Sequence, residues 1–91
     1  MVTAWRIKMI EKNVEVNISE NGARPIAKLV QIANQYQSKV SIKQNSKVVN
    51  AKSIMGMMTL GLVSGESLEV EVEGGDETDA MNSIEQFLIG K

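Results

Sequence analysis

The chain contains neither histidine nor cysteine, and these two absences remove a large part of protein chemistry. Without imidazole or thiolate, only carboxylates and carbonyls remain as metal ligands, so no zinc or copper site is expected. A Ser–His nucleophilic pair is excluded, and so is a phosphohistidine. The lack of cysteine rules out disulfides and redox thiols, a composition that suits the cytoplasm. Aromatic residues are nearly missing: Trp5, Tyr36 and Phe87 are the only ones. They offer no stacking platform for single-stranded nucleic acid. Neither charge dominates, with 10 Lys+Arg against 11 Asp+Glu, and there is no basic block to neutralise phosphates. No direct nucleic-acid partner is expected. Long hydrophobic runs are also absent. The longest uncharged stretch, Ser53 to Gly65, is interrupted by glycine, serine and threonine and is too short to span a bilayer. At the start, Arg6 and Lys8 are followed by no apolar stretch, so neither a signal peptide nor a membrane partner is expected.

What remains is 91 residues with 43% apolar content, enough for one domain with one modest core. Val14, Val16 and Ile18 alternate with polar residues over 13–19, the period of a half-buried strand. The period then lengthens. Ala23, Ile26, Ala27, Val30 and Ala33 place an apolar stripe on a helix over about 23–34. Pro25 is tolerated only within the first turn, which sets the N-cap at Gly22 or later. Residues 39–43 alternate again, with Val40 and Ile42 inward, and a polar turn at 44–46 leads to a return strand over 47–50. Ser53 precedes Ile54-Met55-Gly56-Met57-Met58, a serine-capped helix of one or two turns whose Gly56 costs it roughly 1 kcal/mol against alanine. Leu68, Val70 and Val72 alternate strictly with Glu69, Glu71 and Glu73, so this strand has one face in water. Gly74-Gly75 makes a turn. Asp76 and Asp79 have the spacing of a capping box at the head of a final helix that buries Ala80, Met81, Ile84, Phe87 and Leu88. The order βαββαβα predicts an α+β fold, an open-faced two-layer sandwich with helices on one face of a four-stranded antiparallel sheet. Residues 1–10 either extend the first strand or add another, and an added exposed strand is a route to a homodimer.

Three segments resemble one family. Asn21-Gly22-Ala23-Arg24-Pro25 is similar to the active-site sequence of the HPr phosphocarriers of the bacterial sugar phosphotransferase system, where Gly-Leu-His-Ala-Arg-Pro opens the first helix. The run Val49-Asn50-Ala51-Lys52-Ser53-Ile54-Met55-Gly56-Met57-Met58-Thr59-Leu60-Gly61 matches the family's regulatory serine motif almost residue for residue. Gly75-Asp76-Glu77-Thr78-Asp79-Ala80-Met81 resembles the entry to its last helix. The resemblance implies an HPr-like domain over 10–91 behind an N-terminal extension of 1–9. It departs at one position: Gly22 stands where the family has its phosphoryl-accepting histidine, so carriage of phosphate to sugar permeases should be lost. The serine half survives, as in the histidine-less catabolite-repression (Crh) subfamily.

By this resemblance Ser53 is the substrate of HPr kinase/phosphorylase, and the chain is a regulator rather than an enzyme. It has no catalytic residue and needs no cofactor. Phosphorylation adds roughly −1.5 to −2 charges at a helix N-terminus, where an anion is favoured. Arg24, with a planar fork suited to an oxyanion, is expected to meet that phosphate, because the starts of the first two helices lie side by side in the family fold. Gly22, Ala23 and Arg24 together could also keep a small anion pocket. Met57 is expected in the core. Ile54, Met55 and Met58 form an exposed face that docks a LacI-type catabolite control repressor, methionine being flexible and polarisable. A bland reading stands beside each: Ser53 as a plain helix cap, Arg24 as a surface residue, and the whole as a repurposed interaction domain that is never phosphorylated. The glutamates of the 68–73 strand are read as a solvated face.

Overall fold

The computed structural model describes residues 9–19 and 23–90. Their order is β1 (Met9–Glu15), α1 (Ala23–Ala33), β2 (Lys39–Gln44), β3 (Lys47–Asn50), α2 (Ile54–Leu60), β4 (Ser67–Glu73) and α3 (Glu77–Leu88). The four strands form one antiparallel sheet in the order β1-β4-β2-β3. This is the α+β sandwich that the alternating strands and amphipathic helices predict. Val40 and Ile42 of β2, Leu68, Val70 and Val72 of β4, and Val14 and Val16 point to the helices and are buried. They meet Leu29 and Ala33 of α1, Met57 of α2, and Met81, Ile84 and Leu88 of α3 in a single core. The other sheet face carries charge and lies open.

Several local expectations are corrected. β1 is displaced towards the N-terminus: Met9 and Ile10 belong to it, and Val16 and Ile18 do not. The pairing with β4 stops at Glu15–Ser67, because Val16 turns to the loop before β4, bonding Glu66 O and Gly65 N at 2.8 Å each. Val16 stays buried in that position, which is why it carried the alternating pattern. On α1 the buried stripe is Pro25, Ile26, Leu29 and Ala33. Ala23 and Ala27 face solvent, as the larger Leu29 claims the inward direction one turn after Ile26. Gln44 belongs to β2, leaving a two-residue hairpin turn in which Asn45 takes the left-handed conformation at φ 57°, one that asparagine tolerates well. Phe87 is half-buried at the rim of the core.

The expected capping box at α3 is absent. Asp76 is the N-cap, yet its side chain makes no bond to its own helix. Its carboxylate accepts instead from the backbone N–H groups of Gln37 and Ser38, each at 2.9 Å, and from the Ser38 hydroxyl. The Ser38 hydroxyl, with the Gln37 and Ser38 amides, holds the Asp76 carboxyl below its ordinary pKa. Asp76 thus fastens the β4–α3 turn to the loop entering β2, and Ser38 is buried beneath it.

Candidate functional site

Segment 50–53 leaves β3 through a dense set of short-range bonds. Ala51 N–H donates to Val40 O at 2.9 Å and prolongs the β2–β3 region by one bond. The Asn50 side-chain carbonyl accepts from Lys52 N at 2.9 Å, an Asx turn, while Ser53 N donates to Asn50 O at 3.0 Å. Ser53 is extended, at φ −104° and ψ 116°. Its Oγ accepts from Gly56 N at 3.2 Å, and its carbonyl accepts the first helical bond, from Met57 N at 3.0 Å. Ser53 therefore caps α2, leaving the half-exposed hydroxyl its own hydrogen to donate.

Helical geometry sorts the residues after it. Met57 is fully buried, while Ile54, Met55 and Met58 are 48%, 78% and 54% exposed and share the outward side of α2. A group of large apolar side chains in this position is the material of an interaction surface. Val63, in the loop beyond α2, is exposed as well. Leu62 beside it turns into the core, and two adjacent apolar residues in a loop carry no period to tell the inward one from the outward one.

Ala23 and Arg24 are exposed at the start of α1, and Gly22, which the resemblance sets at the histidine position, lies outside the described residues. Hydrogen bonds tie the start of α2 to the segment that follows α1. Asn34 Nδ2, just past the end of α1, donates to Lys52 O at 3.3 Å. Lys52 Nζ donates to Tyr36 O at 2.7 Å. The start of α2 thus rests against the end of α1. Lys52 and Asn34 were missed. The Asn50-Ala51-Lys52 turn was legible from asparagine two residues before the amide it captures, but nothing local announces Asn34 as its partner.

The open sheet face carries the predicted glutamates. Glu11 stands opposite Glu71 in the register, with Glu69 two pairs along and opposite Asn13, and the three carboxylates lie within 4.8 Å of one another. A hydrogen bond with Glu71 and partial desolvation raise the Glu11 pKa, because two adjacent carboxylates ionise together only at a cost. Lys43 Nζ, 3.6 Å from Glu71, offsets part of that charge.

The βαββαβα order finds its counterpart in a known family. Residues 10–89 match the family described as PTS HPr component phosphorylation site. The chain belongs to the HPr family. The HPr-like protein Crh of Halalkalibacterium halodurans is 44% identical over 81 residues, covering 88% of this chain and 96% of that protein. The HPr phosphocarrier of Bacillus anthracis superposes with a TM-score of 0.83 at 36% identity, over 88% of this chain and 96% of its own. Crh of Bacillus subtilis, crystallised as a swapped dimer, gives a TM-score of 0.69 at 35% identity over 81% and 88%. The chain is therefore an HPr-family protein similar to Crh, and like the HPr structures it builds an open-faced α+β sandwich. Among the described residues, no helix is long and apolar enough to cross a membrane.

Proposed function

We propose that this HPr-family chain is a regulator that takes phosphate on Ser53 and does not carry it on histidine. A phosphocarrier needs an imidazole nitrogen as both nucleophile and leaving group, and the sequence holds none. One observation carries the reading: the half-exposed Ser53 hydroxyl stands at the head of a helix whose outward side is Ile54, Met55 and Met58. HPr kinase/phosphorylase is the modifying enzyme. Ser53 Oγ attacks the γ-phosphorus of ATP, the new O–P bond replaces the bond to ADP, and the hydroxyl proton passes to a base on the kinase. The added charge lies beside an apolar docking face, and the two together form the surface for a LacI-type catabolite control repressor in carbon catabolite repression. Arg24, exposed at the start of α1, is proposed to meet the Ser53 phosphate and to contribute to that partner surface. With Ala23 and Gly22 it remains a proposed anion contact at the head of α1. A homodimer by exchange of the edge strand β1 is part of the proposal, supported by the swapped dimer of Bacillus subtilis Crh.

The test is incubation with HPr kinase and ATP followed by intact mass. Wild type is expected to gain the mass of one phosphate and Ser53→Ala none. A wild-type protein that stays unmodified, or a Ser53→Ala variant still labelled, sinks the proposal. It would leave the alternative of an HPr-fold interaction module working through its methionine face alone.

A further inference from the structure

Ser53 is followed by a helix too short to hold its own start rigid, since seven residues close few intrahelical bonds. What fixes the serine lies before it. Lys52 is engaged at three points: its N–H by the Asn50 side chain, its carbonyl by Asn34 Nδ2, and its ammonium by Tyr36 O. Asn34 in turn is anchored on α1, its Nδ2 also donating to Val30 O at 2.9 Å. Tyr36 is tied onwards to α3 through its hydroxyl and Ser83 Oγ. The peptide immediately before the serine is thus suspended between the end of α1 and the end of β3. Lys52 is half-buried, and its ammonium holds a backbone carbonyl at 2.7 Å. Such an arrangement costs side-chain entropy, and its return is a single orientation for the next residue.

We propose that Asn34 and Lys52 are positioning residues for the Ser53 hydroxyl, holding it in the orientation in which a kinase receives it. This rests on the reading of Ser53 as the phosphate acceptor. Neither residue touches the reacting atoms. Their loss obliges the kinase to order segment 50–53 during binding, so the penalty falls on KM and leaves kcat nearly unchanged.

The experiment compares wild type, Asn34→Ala, Lys52→Met, the double variant and Lys52→Arg, with HPr kinase and ATP, at a temperature where circular dichroism shows each folded. Hydrogen exchange of the Ser53 amide is followed by NMR on the same samples. Each single loss is expected to raise KM about threefold to tenfold, the range of one hydrogen bond's net contribution, and to speed Ser53 exchange. The double variant falls short of the product of the two, because both act on one peptide. Lys52→Arg, which keeps a donor within reach of Tyr36, retains most of the wild-type KM. Unchanged KM in both single variants overturns the inference while Ser53 keeps its role. So does a Lys52→Met effect alone, with Asn34→Ala neutral and Ser53 exchange unaltered, because Lys52 then contacts the kinase directly. A wild-type protein that accepts no phosphate overturns the reading of Ser53 and this inference with it.

Discussion

The N-termini of α2 and α3 begin from similar instructions and end differently. Each is headed by a capping residue, Ser53 or Asp76, just before the first helical turn. Ser53 does what its position suggests and accepts from Gly56 N within its own helix. Asp76 turns its carboxylate away and takes three donors from the 37–38 loop, almost forty residues earlier in the chain. A neutral hydroxyl is satisfied by one local amide. A full charge at the edge of the core draws in as many donors as reach it. The difference separates the roles of the two ends: the α3 end is consumed by the scaffold, while the α2 end keeps a hydroxyl available at the surface.

The scaffold end breaks most severely at Gly74. Its φ of 154° and its proximity to Ser38 leave no room for a side chain, since an added Cβ would stand 2.7 Å from Ser38 Cα. Backbone cannot swing aside as a side-chain tip can. Gly74→Ala is expected to cost about 1–3 kcal/mol from overpacking alone, with further loss as Ser38 is pushed off Asp76. Urea unfolding checks it. A midpoint equal to wild type would show that the clamp yields easily and that the contrast between the two helix ends is overdrawn.

Asp76→Asn sharpens the comparison through pH. The folded-state pKa of Asp76 lies below its ordinary value, so its contribution is present above the unfolded carboxyl pKa of about 4 and is lost as pH falls through the folded value. The wild type should therefore lose stability on its acid limb, and Asp76→Asn should start lower near neutrality and flatten that limb. Glu11 acts in the opposite sense. Its pKa is raised, so the folded state takes up its proton first and gains stability as pH falls from the raised value towards the ordinary one. Glu11→Gln in the same melts removes that gain without touching the Asp76 limb. A variant at Asp76 with the wild-type acid slope would show that its three hydrogen bonds contribute nothing to the charged form.

Much of this was legible in the sequence, for one physical reason. Strict alternation in β4 and the Ser53 cap depend on neighbours within a few residues, and local pattern encodes local partners. The hairpin of β2 and β3 was readable on the same terms. The misreadings share the opposite cause. The Asp76–Asp79 spacing is locally a capping box, and only Ser38, distant in sequence, reveals that the carboxylate is occupied elsewhere. Val16 alternates in register with a strand it has already left, because burial continues beyond strand pairing. Long-range hydrogen bonds choose among local patterns, and no window along the chain contains them.

Gly56 offers the gentlest test of the local end. In sequence it reads as a liability in the middle of a short helix, and the space around it shows that the liability can be relieved. An added Cβ would meet Val49 Cβ and Ser53 Oγ at 3.5 Å each, ordinary van der Waals contact. The Ser53 bond goes to the Gly56 backbone N–H, which alanine keeps. Gly56→Ala is therefore expected to stabilise the protein by about 0.5–1 kcal/mol through the smaller backbone entropy it loses on folding, with the Ser53 cap intact. Thermal melts of wild type and variant decide it, read beside Ser53→Ala, which should lose about 1 kcal/mol with its cap. Destabilisation by Gly56→Ala would mean that the start of α2 has no slack, and that the serine is held by its own helix more tightly than by the peptide before it.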